Sequence, residues 1–324
     1  MPKVVLARPL VEAGMKVLAA RKDIEVQVVE DVNPTSIRAA LNGAEAIIFR
    51  PANYVFSYPE LDAAPKLKVV CRVGVGYDSI DVPALTSRGV QMAVVGQANA
   101  TTVAEHAIAL MMGVGRKLVL FDRAMRDGTG YAVRFNELLL EYAGKTLVVV
   151  GFGRIGTRVV RRMQGWDMRI VVVDPLIDPA RIRASGAEPM ELDAALRIAD
   201  IVTLHCPLGP ETRGLINGQR LGLMKRSTIL INTARGPIID ESALIRALKE
   251  KVIAGCGLDV TEIEPPEPSN ELLRIPTALL SPHNAAQSPE CVDRMNVAAA
   301  ENALKGIAGR VSPDCLINPE VFAR

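Results

Sequence analysis

Short apolar runs alternate with amphipathic stretches along the whole chain. In the first hundred residues, strand-like runs lie at Lys3–Ala7, Ile24–Val29, Ala46–Phe49 and Lys68–Arg72. Between them, Val11 to Ala20 has helical spacing, with Val11, Met15 and Leu18 on one face. Asn33-Pro34 marks a helix start, with Asn33 as the cap and Pro34 in the first helical position. A longer helical pattern spans Thr101 to Arg126, with Val103, Ala107, Leu110, Met111, Val114 and Leu118 on one stripe. Thr101 or Thr102 is its expected cap, and Asp127-Gly128-Thr129-Gly130 ends it. A second series of strands follows at Thr146–Val150, Arg169–Val173, Ile201–Leu204, Thr228–Ile231 and Ile253–Gly257. Asp240 caps one of the intervening helices, with Leu244, Ala247 and Leu248 facing inward. Three prolines in Glu264-Pro265-Pro266-Glu267-Pro268 force a loop, because proline fixes φ and lacks a donor. A final helix runs from about Pro289 to Gly306 and is expected to return to the first domain. Strands alternating with helices predict parallel βαβ units, an α/β fold of two doubly wound parallel-sheet domains.

The composition agrees with that pattern. A chain of 324 residues is long enough for two domains. Apolar residues make up 49% and aromatics only 4%, so the cores are built from Val, Ile, Leu and Ala, as buried parallel strands require. With 38 basic and 36 acidic residues the net charge is +2, which offers nucleic acid or a membrane surface no electrostatic attraction. The apolar part of the N-terminus is too short for a signal peptide, and no run approaches a membrane span. Cys71, Cys206, Cys256, Cys291 and Cys315 are scattered, with no Cys-x-x-Cys. Reduced thiols in a cytoplasmic protein are expected, and no metal site, since neither His nor Cys falls at ligand spacing.

The strand at Thr146–Val150 runs directly into Gly151-Phe152-Gly153-Arg154-Ile155-Gly156, and a helix with Val159, Val160 and Met163 follows. One glycine makes the tight turn, one lets backbone approach a pyrophosphate, and one lets helix and strand pack closely. The helix start then offers N–H groups and a partial positive charge to phosphate. Asp174 ends the next strand, about 20 residues further on, where an acid accepts hydrogen bonds from the adenosine ribose. It also repels a 2′-phosphate, and Pro175 rather than Arg follows it, so the expected cofactor is NAD. Arg154 lies either near the pyrophosphate or in solvent at the helix start.

Polar groups collect at later strand ends, where open α/β sheets bind ligands. Arg235 follows a buried strand within Asn232-Thr233-Ala234-Arg235-Gly236, placed to hold a carboxylate bidentately and polarise a carbonyl. Asp259 ends the next strand and leads to Glu264 in the proline loop. Leu280-Ser281-Pro282-His283-Asn284 is the third such segment. Of three histidines, His106 falls inside the long helix and is read as structural. His205 closes a strand, either lining the cofactor pocket or simply satisfied there. His283 sits in a loop, a position open to function.

This ordered set, together with Val73-Gly74-Val75-Gly76-Tyr77-Asp78 and Thr102-Val103-Ala104-Glu105-His106, resembles the D-isomer-specific 2-hydroxyacid dehydrogenase family over nearly the whole chain. The resemblance implies an NAD-dependent oxidoreductase acting on the CH–OH group of a small 2-hydroxy or 2-keto acid, of the glyoxylate, hydroxypyruvate or 3-phosphoglycerate class. It makes His283 the acid/base, Glu264 its partner and Arg235 the substrate anchor. The backbone N–H groups of Val73, Gly74, Val75 and Gly76 would form a nest for the substrate carboxylate. Thr102, Ile155, His205, Cys206, Pro207, Thr233, Ala234, Asp259 and Ala285 would join the glycine turn, Arg154, Asp174, Arg235 and His283 around the cofactor. Residues 99–287 would form a Rossmann NAD-binding domain inserted into a flavodoxin-like substrate domain, residues 1–98 with 288–324, the substrate lying between them. The long helix and its following loop resemble the family's dimer element, which implies a homodimer.

Two features depart from the family. Tyr131-Ala132-Val133-Arg134 stands where many members have Trp, and the single Trp is Trp166. The chain ends at Arg324, short of the regulatory domain of longer phosphoglycerate-oxidising members, so serine feedback is not expected. Arg50, Arg72 and Arg134 are candidates for a phosphate or second carboxylate, or are solvated. Two rival functions are a non-catalytic NAD-sensing protein, like the corepressors of this fold, and phosphite oxidation. Glu264, where formate-oxidising members carry Gln, argues against formate.

Overall fold

The computed structural model describes residues 1–50 and 54–323. The chain divides into two compact units, Met1–Asn99 with Gln287–Arg324, and Ala100–Ala286. The first holds a five-stranded sheet of β1 (Lys3–Ala7), β2 (Glu25–Val29), β3 (Ala44–Phe49), β4 (Val69–Arg72) and β5 (Gln91–Ala93). All pairings are parallel, in the order β2-β1-β3-β4-β5 of flavodoxin-like sheets. Asn33 starts the Pro34–Leu41 helix with a capping box, accepting from Ser36 N at 3.0 Å.

The helix Pro289–Ile307 belongs to this first unit, and buried amides tie it there. Asn296 Oδ1 accepts from Val11 N at 3.2 Å, and Asn302 Nδ2 donates to Val94 O at 2.9 Å. Beyond the helix, fully buried Asn318 accepts from Met92 N at 2.7 Å and donates to Val90 O and Thr86 Oγ1. Each replaces a water that burial removes from a backbone group.

The second unit holds β6 (Thr146–Val150), β7 (Arg169–Val173), β8 (Glu188–Pro189), β9 (Ile201–Leu204), β10 (Ile229–Asn232), β11 (Gly255–Leu258) and β12 (Ala278–Leu280). They form a parallel sheet in the order β12-β11-β10-β9-β6-β7-β8. The chain direction along the sheet reverses between β6 and β9, so that the turn after β6 faces the residues after β9. Every residue of β6 is buried, and Val159, Val160 and Met163 of the Gly156–Met163 helix pack against its neighbours.

The long helix expected over Thr101 to Arg126 is two helices, Ala100–Gly115 and Leu118–Arg126. Lys117 between them is left-handed, at φ 49° and ψ 39°. The returning chain takes up the carbonyls at the break: Leu140 N donates to Gly115 O at 2.9 Å and Tyr142 Oη to Met111 O at 2.8 Å. Tertiary donors thus end a helix that the local pattern continues. Thr101 and Thr102 are not caps, because the helix starts at Ala100.

Candidate active site

The glycine turn has the geometry its sequence requires. Gly151 has φ +95°, and a Cβ there would lie 2.6 Å from Cys206 N, so β6 turns directly against the end of β9. At Gly156 a Cβ would run into Gly151 O, which closes the turn onto the helix. Gly153 faces open space, leaving its backbone approachable. No side chain caps the start of the Gly156–Met163 helix. Asp174 accepts from Phe152 N at 2.7 Å and Leu176 N at 3.0 Å, which fixes its carboxylate beside the turn.

Two buried polar atoms stand without partners where neighbouring strands end. His205 Nδ1 follows β9 and Thr233 Oγ1 follows β10, and Leu204 is in register with Asn232 just before them. Burial pushes the His205 imidazole down to about 3, so it is neutral, and its Nε2 lies 2.9 Å from Thr203 Oγ1. Burial raises the Cys206 thiol to about 11, keeping it neutral as well. Orphaned buried groups at a switch point ask for a ligand with hydroxyls or amides to complete them. A nicotinamide dinucleotide fits: the turn suits its pyrophosphate, Asp174 its ribose, and the orphans its hydroxyl and amide groups. Arg154 is exposed, Thr102 half-buried in the first turn of its helix, and Pro207 exposed.

Three loops bring the candidate catalytic groups together. Fully buried Asn232 folds the first: its Oδ1 accepts from Ala234 N and its Nδ2 donates to Arg235 O, both at 2.9 Å. Arg235 is half-buried and donates to Ala234 O at 2.7 Å. At Gly236 any Cβ would collide with Thr261 O, so the Arg235 loop lies against the Glu264 loop. Glu264 Oε1 accepts from Thr261 N at 3.2 Å, while its Oε2 accepts from His283 Nδ1 at 2.7 Å. With Nδ1 donating to the carboxylate, Nε2 is the nitrogen left for a reacting group.

His283 itself has a left-handed backbone, φ 51°, unusual for a residue with a side chain. Its N–H donates to Asp259 O at 2.8 Å, and the next two amides, Asn284 N and Ala285 N, donate to the Asp259 carboxylate at 2.9 Å each. Ser281 Oγ donates to Asp259 Oδ1 at 2.6 Å, and His106 Nε2 lies 2.9 Å from Ser281 Oγ. Burial, with 1% exposure, disfavours the Asp259 charge, yet these hydrogen bonds outweigh it and hold the carboxyl below its ordinary value. Read as structural from the sequence, His106 joins this cluster through Ser281, 175 residues further along the chain.

In the first unit, Val73 N donates to Phe49 O at 3.1 Å, extending the sheet ladder. Of the four N–H groups expected to form a nest, that of Val73 is thus already used, which leaves Gly74, Val75 and Gly76. Arg72 is buried, and its guanidinium holds Gly76 O at 3.0 Å and Arg50 O at 3.0 Å. Arg134 stacks over Tyr131 and Phe135, at 5.1 and 4.4 Å from the ring centroids, and Arg50 is exposed.

The chain is similar to known proteins over nearly its whole length. The model of the D-isomer specific 2-hydroxyacid dehydrogenase NAD binding domain matches residues 108–285. A glyoxylate reductase of Korarchaeum cryptofilum is 36% identical over 99% of this chain and 97% of its own length. A D-3-phosphoglycerate dehydrogenase of Mycobacterium bovis is 36% identical over 98% of this chain, which spans 59% of that longer protein. The crystal structure of a glyoxylate reductase from Paecilomyes thermophila superimposes with a TM-score of 0.89 at 28% identity, covering 98% of each chain.

Proposed function

The chain belongs to the D-isomer-specific 2-hydroxyacid dehydrogenase family, and from that premise we propose that it interconverts a small 2-keto acid and its D-2-hydroxy acid at the cluster of Arg235, Glu264 and His283. The substrate is of the glyoxylate, hydroxypyruvate or phosphohydroxypyruvate class. The observation that carries this reading is the 2.7 Å pair of His283 Nδ1 and Glu264, on a loop packed against the Arg235 loop. When bound, the nicotinamide supplies or accepts the hydride at C2 of the acid.

The residues of the chain handle charge and the proton. In the reducing direction the substrate carbonyl oxygen gains negative charge, and His283 Nε2–H gives it a proton. Glu264 favours the imidazolium that performs this transfer and fixes its orientation. Arg235 pairs with the substrate carboxylate and stabilises the developing charge with a planar, permanently charged fork. Gly74, Val75 and Gly76 are the first unit's carboxylate donors. Asp174 supports NAD over NADP, since its charge opposes a 2′-phosphate. The turn, Arg154, Ile155, Thr102, the His205-Cys206-Pro207 segment, Thr233, Ala234 and Ala285 complete the dinucleotide site, Asp259 acting through the loop that it anchors.

Five free cysteines support a reducing, cytoplasmic setting, and no helix among the described residues is long and apolar enough to cross a membrane. Exposed Leu118, Met125, Tyr131, Phe135 and Leu138 support a homodimer built on the segment after the Ala100–Gly115 helix.

The test is NADH oxidation on a panel of glyoxylate, hydroxypyruvate, phosphohydroxypyruvate and pyruvate. His283→Ala is expected to lower kcat by about 10²–10⁴-fold while NADH affinity stays within about twofold. Turnover that survives this change would overturn the acid/base assignment.

A further inference from the structure

His106 lies on the Ala100–Gly115 helix, outside the Arg235, Glu264 and His283 cluster, yet hydrogen bonds connect it to the catalytic loop. Asp259 and Ser281 directly follow Leu258 and Leu280, which are register partners on β11 and β12. Two strand ends thus place a carboxylate and a hydroxyl side by side, and the helix brings the imidazole to the same point.

Donor and acceptor roles along this chain follow from counting hydrogens. Ser281 Oγ has one hydrogen, and the buried Asp259 carboxylate at 2.6 Å accepts it. The Ser281 oxygen must then accept from His106, so Nε2 carries the imidazole proton at 2.9 Å. His106 Nε2 also lies 3.4 Å from Asp259 Oδ1. At the other end, the same carboxylate holds the amides of Asn284 and Ala285, and the Asp259 carbonyl holds the amide of His283. A left-handed φ at a residue with a side chain persists only where its surroundings over-determine it.

We infer that His106 is a positioning residue: through Ser281 it orients the Asp259 carboxylate, which pins the 283–285 backbone and so aims the His283 imidazole at Glu264. The effect on turnover rests on the dehydrogenase reading, whereas the effect on the backbone does not. Charged hydrogen bonds of this kind couple strongly to the groups they hold. An aromatic side chain of similar size without a donor breaks the chain at its head, and an amide of similar reach restores it.

The experiment compares His106→Phe, His106→Gln and Ser281→Ala in the full chain. Amide hydrogen exchange at Asn284 and Ala285, measured without ligands, is expected to quicken by about tenfold in His106→Phe and Ser281→Ala, and to return towards wild type in His106→Gln. In turnover, the first two variants lose about tenfold in kcat, a larger change than any rise in KM for NADH, and His106→Gln recovers most of it. The double variant His106→Phe/Ser281→Ala is no worse than the poorer single, since both cut one chain. Unchanged exchange in His106→Phe overturns the inference, as does a glutamine variant as impaired as the phenylalanine one, or losses that multiply. If His106→Phe does not fold, Ser281→Ala reports on the same chain. Wild-type protein inactive on every keto acid overturns the functional reading alone, because amide exchange still decides the positioning role.

Discussion

At the scale of single residues, the site depends on a few contacts with no tolerance. Gly236 lets the Thr261 carbonyl lie against the Arg235 loop, and any side chain there collides with backbone. Gly236→Ala is therefore expected to cost about 1–3 kcal/mol in stability and to lower kcat, as denaturant melts and steady-state rates will show. His205 supplies a pH-dependent effect. Its imidazole is neutral in the folded protein down to about 3, while in the unfolded chain it protonates near its ordinary 6.5. Between those values the unfolded state binds the extra proton, so stability falls as the pH drops from about 6.5 towards 3. His205→Asn should lose less stability than wild type between neutral and acid pH, measured as the difference in urea midpoints. Asp174 and Arg235 stood out in the sequence because each follows an apolar strand, and His283 because it follows a proline, whereas Glu264 was singled out through the family resemblance. The hydrogen bonds of Asn232 and His106 were not legible: those of Asn232 are local but depend on how its loop folds, and His106 meets Ser281 from 175 residues away.

Among elements, the caps at Asn33 and Asp240 were readable, whereas the cap expected at Thr101 or Thr102 and the break after Gly115 were misread. Asn33 and Asp240 sit where side-chain acceptors meet free helix amides, a local signal that the structure repeats. The split at Lys117 has no such signal, for its cause is the segment around Leu140 and Tyr142. The strands β5, β8 and β12 are two or three residues long, too short for a period-two pattern to stand out. The Glu241–Lys249 helix ends with exposed Lys251 at φ 55°. Val252 N donates to Ala247 O at 2.8 Å and Lys251 N to Leu248 O at 3.3 Å, a pairing that favours glycine at that left-handed position. Lys251→Gly should stabilise the protein by about 0.5–1 kcal/mol, seen as a higher thermal midpoint with unchanged turnover.

For the molecule as a whole, the exposed side chains of residues 118–139 are the feature most at odds with a lone chain. Phe135 is 78% and Leu138 88% exposed. The homodimer proposed above predicts that sedimentation finds two copies together, and that Phe135→Lys with Leu138→Lys shifts the population to monomers. A wild type that sediments as a monomer would remove the proposal. The α/β plan was visible from alternation, because it is written in the repeat of short apolar runs, and the length of 324 residues pointed to two domains. The first unit is made of two separate stretches of chain, whereas the second is continuous. On the ribosome, the sheet begun first must wait for the helix Pro289–Ile307 and Asn318, which are made after the whole second unit. The domain begun second has all its residues in hand sooner, so the order of translation and the order of completion are opposite.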